Sequence, residues 1–227
     1  MKKYALRNSY FKNRSANDPD TIFEIVSFFK ENGELPFSYH GDNWVYDAMT
    51  ERQKRKGVIL NQFLTPDIIA ERLVEFACMY RPSSGLALDA CCGTGQITNR
   101  LIKYIFIVEE FDIDNEMVEI CKLLFPGNNF YRMDYHEPDH NKKYKLIVSN
   151  PPYDTKELQY FLEWLHGVMS SRGKAVLLLP SGFIDKVKPK ALTDILSKFK
   201  CIYREFKIRK FELTNTSTEI VILELAS

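Results

Sequence analysis

The chain has 227 residues, of which 45% are hydrophobic and 27% charged. These are the proportions of an ordinary globular domain, and they exclude a wholly disordered, collagen-like or disulfide-dense chain. Lys and Arg number 31 against 30 Asp and Glu, so overall charge singles out no polyanionic partner, and any phosphate-binding face has to be local.

The start, MKKYALRNSYFKNRS, has two lysines but no apolar stretch behind them and is not read as a secretory signal. Thr21-Ile-Phe-Glu24 reads as a capping box opening a helix, with Ile22, Phe23, Ile25, Val26 and Phe29 apolar and Gly33 as its stop. A loop through Pro36 leads to a second helix from about Asn43 to Lys56. Its basic end, Arg52 to Lys56, reads either as a solvated last turn favoured by the helix dipole or as a contact to a polyanion. Residues 1–60 are therefore expected to form a helical N-terminal extension, and residues 61–227 the main domain.

From residue 61 the pattern alternates. A helix is expected over Asp67–Tyr80 and a strand over Leu86–Asp89, followed by a glycine-bearing turn. Then come a strand (Tyr104–Phe111), a helix (Glu116–Phe125) and strands at Phe130–Met133 and Lys145–Ser149. A helix at Leu158–Met169, a strand at Ala175–Leu179, a helix at Ala191–Phe199 and strands at Ile202–Ile208 and Thr218–Leu225 complete the domain. Strand–helix alternation predicts an α/β fold with a doubly wound, mostly parallel seven-stranded sheet. The last two strands have no room for a crossover helix, which predicts an antiparallel C-terminal edge. No run of about 18 apolar residues predicts a membrane span. The five cysteines are odd in number and lack C-x-x-C spacing, and the four histidines form no H-x-x-x-H pattern. Disulfides, a zinc site and metal catalysis are therefore not expected, and a reducing cytoplasm is the natural compartment.

Asp89-Ala-Cys-Cys-Gly93-Thr-Gly95 places a glycine turn at the carboxyl end of the first strand, where open α/β sheets bind ligands. Position 98 is Thr rather than the third glycine of a dinucleotide fingerprint, and no G-K-[ST] follows, which excludes a P-loop. A carboxylate four residues before the first glycine suits a ligand with a cationic amino acid end better than a phosphate. Asp112 follows Gly93 by 19 residues and Asp134 closes the next strand; three acids at successive strand ends point to a polar ligand lying across them. Leu146-Ile-Val-Ser-Asn150-Pro151-Pro152-Tyr153 closes a further strand. Two prolines fix the backbone and remove two amide donors. That leaves the Asn150 side-chain oxygen and the Pro151 carbonyl as acceptors beside the Tyr153 ring, an arrangement suited to a planar ring with an exocyclic amine.

Asp-Ala-Cys-Cys-Gly-Thr-Gly together with Asn-Pro-Pro-Tyr resembles the class I S-adenosylmethionine-dependent methyltransferases, specifically those that modify adenine N6. Asn61-Gln-Phe-Leu-Thr65-Pro66 resembles the "GQFFTP" segment preceding the glycine turn in DNA adenine methylases of the type I and gamma arrangement, the kind found in restriction–modification. The resemblance covers roughly residues 61 to 227. It implies that S-adenosylmethionine is the cofactor, with Asp89 near its ammonium, Cys91, Gly93 and Gly95 forming the turn, Asp112 on the ribose hydroxyls, and Asp134 on the adenine amine. Thr65 and Pro66 would line the methionine end. Asn150 and the Pro151 carbonyl would hold the target amine, with Pro152 stiffening the turn and Tyr153 stacking on the base. Phe183 and Phe211 are candidates for a second aromatic face or for core packing.

Gamma-type methylases usually carry a separate recognition domain, yet the chain ends at Ser227, just after the last predicted strand. The extension, a specificity or partner subunit, or a structured RNA substrate would resolve this. The Lys/Arg excess from Lys186 to Lys210 reads either as a phosphate track or as a solvated face with a lysine-guarded edge strand. DNA is the expected substrate before RNA. The alternatives are a protein glutamine methyltransferase, which shares Asn-Pro-Pro-Tyr, and a non-catalytic cofactor-binding subunit.

Overall fold

A computed structural model describes residues 21–36, 44–56, 62–81, 86–104, 107–137, 141–186, 189–208 and 216–226. The elements in chain order begin with α1 (Ile22–Asn32), α2 (Trp44–Lys56), α3 (Asp67–Met79), β1 (Leu86–Ala90), α4 (Gln96–Leu101), β2 (Val108–Asp112) and α5 (Asn115–Leu124). They continue with β3 (Asn129–Arg132), β4 (Tyr144–Ser149), α6 (Thr155–Val168), β5 (Met169–Pro180), α7 (Lys190–Leu196), β6 (Phe199–Ile208) and β7 (Thr218–Leu225).

The seven strands form one sheet in the order β3-β2-β1-β4-β5-β7-β6. Pairings from β3 through β5 are parallel, and β7 pairs antiparallel with both β5 and β6. The doubly wound sheet and its antiparallel edge are thus as the sequence pattern predicts. Residues 146–148 of β4 and 175–179 of β5 are apolar without interruption because both their faces are covered. Ile147, Leu177, Leu179 and Val221 pack beneath α6 and α7. Their alternates Leu146, Val176, Leu178 and Ile222 pack beneath α3 and α4. The chain winds from β1 to one side and from β4 to the other, so the crevice between the carboxyl ends of β1 and β4 is the topological switch point where such sheets bind ligands.

Some boundaries differ from expectation. Thr21 is the N-cap of α1, but its side chain makes no capping bond; its φ/ψ of −95°/−8° are helical rather than extended, so the capping box does not form. At the other end Gly33 takes φ 72° and its N–H caps Phe29 O, as a left-handed stop requires. β2 starts at Val108, leaving Tyr104 half exposed and outside the strand. β5 follows α6 directly and includes Met169–Lys174, a polar stretch whose pairing with β4 shifts register. No helix among the described residues is long and apolar enough to cross a membrane.

The helices of the extension pack on the sheet domain. Ile22, Ile25, Val26, Trp44 and Met49 share a cluster with Met117 and Ile120 of α5 and with Leu64. Arg52 of α2 bonds Glu116 of α5. The described part of the extension therefore sits against α5 and the segment leading into α3.

Candidate active site

A cavity of about 360 Å³ opens at the switch point, within the size range of small-molecule sites. One wall is the turn after β1. Cys91 adopts a left-handed φ of 59° and Gly93 one of 54°, and Cys92 N–H bonds back to Phe111 O of β2 at 2.9 Å. Gly95, with φ 79°, leads into α4. A Cβ there would stand 2.6 Å from the Phe125 ring and 3.1 Å from Cys121 Sγ, so this position needs glycine for both conformation and space. Cys92 is buried among Val118, Cys121 and Phe130 under the turn, and both Cys91 and Cys92 contribute to the cavity lining.

The strand-end acids lie at different depths. Asp112 is on the cavity wall and is held by three donors: Gly93 N at 2.8 Å, Asp114 N at 2.9 Å and Gln62 Nε2 at 3.1 Å. Burial pushes its pKa up to about 6 against the pull of these bonds. Asp89 lies behind the wall with no exposed surface. Its Oδ2 accepts from Thr98 Oγ1 at 2.6 Å, and its Oδ1 is buried with no hydrogen-bond partner among the described residues. Burial raises Asp89 to about 7, with Asp112 adding repulsion and the Thr98 bonds opposing it. Thr98, the residue in place of a third glycine, thus anchors the first acid. Asp134 lines the cavity and accepts from His136 N at 2.9 Å and pairs with His136 Nδ1 at 2.7 Å. Its partial burial works against ionisation, but the His136 amide and ring outweigh it and hold the carboxyl below its ordinary range.

The opposite wall is Asn150 to Tyr153, carried by β4. Ser149 Oγ bonds Ala90 O at 2.6 Å, fastening the end of β4 to the end of β1. Asn150 Nδ2 donates to Phe63 O at 2.8 Å and to Thr65 Oγ1 at 3.0 Å, which saturates the nitrogen and leaves the side-chain oxygen as an acceptor. Tyr153 OH donates to that oxygen at 2.8 Å, leaving it one more lone pair. The Tyr153 ring lies against Phe63 with an interplanar angle of 25°, and burial raises its phenol well above the ordinary range. Asp154 caps α6 by accepting from Lys156 N at 2.9 Å, which sets where the Asn-Pro-Pro-Tyr turn ends.

Of the residues singled out from sequence, the cavity brings together Thr65, Cys91, Gly93, Asp112, Asp134, Asn150, Pro151, Pro152 and Tyr153. Asp89 and Gly95 stand behind the turn. Pro66 is the N-cap of α3, its carbonyl taking Ile69 N and Ala70 N. Phe183 is buried in the core beside α6; Phe211 lies outside the described residues. In the basic stretch, Arg204 pairs with Asp185 and Glu219 and Lys200 with Glu224, so part of its charge is used internally. Lys188, Arg209 and Lys210 lie outside the described residues. Sequence reasoning gave no role to Gln62, Phe63 or His136. Gln62 and Phe63 sit inside the segment that drew attention through Thr65 and Pro66, and that was the available signal.

No family profile matches the sequence, and no curated protein does. Solved structures do match in fold. A putative class I S-adenosylmethionine-dependent methyltransferase from Listeria monocytogenes superposes with a TM-score of 0.63 at 14% identity, over 82% of this chain and 68% of that one. A putative RNA methyltransferase from Pyrococcus horikoshii gives 0.58 at 19% identity, over 74% and 88%. A TehB-like S-adenosylmethionine-dependent methyltransferase from Corynebacterium glutamicum gives 0.55 at 17%, over 80% and 97%. The chain therefore has the Rossmann-like fold of class I S-adenosylmethionine-dependent methyltransferases.

The residues present fit that cofactor. The cavity offers carboxylates for hydroxyls and an amine at Asp112 and Asp134, with the apolar side chains of Ile113 and Met133 next to them in sequence and on the same wall. The orphaned Asp89 Oδ1 under the glycine turn is an acceptor that a nearby cation, directly or through a water, would satisfy.

Proposed function

We propose that the protein is an S-adenosylmethionine-dependent methyltransferase acting on the exocyclic N6 amine of adenine in nucleic acid, DNA before RNA. The observation that carries this reading is the state of Asn150. Its nitrogen is committed to Phe63 O and Thr65 Oγ1, so its oxygen is an acceptor, with one lone pair taken by Tyr153 OH, on a residue that lines the cavity beside Pro151 and Tyr153.

Asp112, Asp134 and the glycine turn would hold S-adenosylmethionine, which when bound would supply an electrophilic methyl on sulfonium. Adenine N6 is a weak nucleophile because its lone pair is delocalised into the ring. Asn150 Oδ1 and the Pro151 carbonyl hold its two N–H bonds, favour a pyramidal nitrogen and stabilise the positive charge that develops there. Orientation of the amine by the stiff proline pair supplies much of the remainder. In a duplex the base has to leave the stack, at a cost of a few kcal/mol, which stacking on Tyr153 offsets by roughly 1–3 kcal/mol. No protein nucleophile is required: burial raises the thiol of Cys91, and the hydrogen bond with Cys121 together with burial raises that of Cys92, leaving both protonated. We further propose that a separate specificity subunit or the N-terminal extension supplies sequence recognition.

The test uses cofactor with a labelled methyl, incubated in parallel with plasmid DNA, total RNA and extract protein. Label recovered as N6-methyladenine supports the reading and selects the nucleic acid. Label on glutamine, or none despite cofactor binding, overturns it in favour of a protein substrate or a non-catalytic subunit.

A further inference from the structure

Residues 62–65 run between α2 and α3, and their contacts alternate between the two halves of the cavity. Gln62 reaches Asp112 Oδ1 at 3.1 Å. Leu64 packs under the extension and stands 3.5 Å from where a Gly93 Cβ would be. Phe63 and Thr65 serve the other half: their carbonyl and hydroxyl take both bonds of Asn150 Nδ2. The strip is fastened to α2 by Gln53, which is nearly buried and donates to Gln62 O at 2.8 Å.

We infer that Gln62 is a positioning residue for the cofactor acid Asp112, and that α2, acting through Gln53, sets the strip that orders Asp112 and Asn150 together. The inference rests on the reading of Asp112 as the ribose-binding acid. Gly93 N and Asp114 N are backbone donors whose places are fixed by the turn and by the start of α5. Gln62 is a side chain brought in from outside the sheet domain's own β1–β2 unit, so it couples the acid to the extension. A donor to a carboxylate favours its charged form and fixes its rotamer. The titratable groups facing Asp112 are Asp114 on its own loop, Asp89 on β1 and the thiols of Cys91 and Cys92; substitution of Gln62 changes none of them. Through this strip α2 bears on both halves of the site.

The test is a carbon-13 NMR titration of side-chain carboxyls in ligand-free wild type, Q62L and Q53L, with D112N to assign the signal. It is paired with calorimetric binding of S-adenosylmethionine and its demethylated product across the mildly acid to mildly alkaline range. Q62L is expected to raise the Asp112 midpoint, to weaken both ligands roughly tenfold near neutrality and to move the onset of binding to higher pH. Q53L shifts all three the same way by less. Leu192→Val, a core change in α7 far from the strip, lowers stability without moving the Asp112 midpoint. A folded Q62L whose Asp112 midpoint matches wild type overturns the inference. Wild type that binds neither ligand overturns the cofactor reading instead, and the Asp112 midpoints still decide whether Gln62 positions that carboxylate.

Discussion

Asn150 shows how one side chain is given a single chemical role. Both protons of its nitrogen are used by acceptors 85 and 87 residues away in sequence, so the amide cannot rotate to present a donor to the cavity. Asn150→Ala removes the acceptor and should lower methyl transfer by about 10²-fold or more, the scale set by loss of one preorganised transition-state partner. Cofactor affinity in a calorimeter should stay near wild type; full transfer by the variant would refute the assignment. Tyr153 separates into two parts. Its ring is the proposed stacking surface, and its hydroxyl occupies one lone pair of Asn150 Oδ1. Tyr153→Phe keeps the ring and should retain transfer, with the target binding as well as or better than to wild type. Tyr153→Ala loses stacking worth roughly 1–3 kcal/mol, read as a 10- to 100-fold rise in the target KM. Equal losses in both variants would mean that the hydroxyl, not the ring, is what the site uses.

At the scale of elements, the turn between β1 and α4 is tight because α5 lies directly against it. Gly95→Ala forces a Cβ into the Phe125 ring at a left-handed φ, and destabilisation of about 1–3 kcal/mol is expected in urea melts. Ile25 of α1 is fully buried against α5. Ile25→Ala should cost about 2–5 kcal/mol if the extension folds as one unit with the sheet domain; a much smaller loss would show that α1 melts separately. The sequence made the sheet legible because its signals are local: apolar runs such as residues 146–148 and 175–179, acids at the ends of the first strands, and proline and glycine at the turns. Asp112, Asp134 and Asn150 could be placed on one cavity for that reason, since parallel strands bring their carboxyl ends together. What stayed hidden depends on long-range packing. Gln62 meets Asp112 across 50 residues, and no spacing rule encodes that. Phe183 is sorted into the core by burial that no local pattern in the sequence encodes. The six-residue helix α4 is too short to show a period. Thr21 has the residue types of a capping box, but the backbone geometry that would let it cap is absent.

Across the whole molecule, three buried acids of β1 and β2 set the response to pH. Asp89 of β1 and Glu110 and Asp112 of β2 project to the sheet face covered by α4 and α5, and Asp89 pairs directly with Glu110 in the β1–β2 register. Glu110 keeps one bond, from Asn128 at 3.1 Å, while its Oε2 is buried with no partner among the described residues. Burial, with repulsion from Asp89 and Glu109, raises it to about 8 against that bond; Asp89 and Asp112 stand at about 7 and 6. Unfolded, such acids titrate at about 4. Between those values the folded state binds more protons than the unfolded one, so their contribution is fullest below about pH 4 and is lost as pH rises towards 8. Asp134, Glu205 and Glu224 are lowered and act in the opposite sense, losing their contribution as pH falls below the ordinary carboxylate range. The ligand-free protein should therefore melt at a higher temperature near about pH 6 than near about pH 8.5. Glu110→Gln, neutral at both values and able to keep the Asn128 bond through its carbonyl, should flatten that difference by several degrees, about 2–4 °C for each kcal/mol recovered. A cationic ligand end near Asp89 favours the ionised carboxylate, the form the empty fold disfavours. The rise in melting temperature on adding S-adenosylmethionine should then be larger at the alkaline value than at the acid one. Thermal scans at the two pH values, with and without ligand, check both statements; an equal ligand shift at each pH would remove the buried acids from the binding linkage.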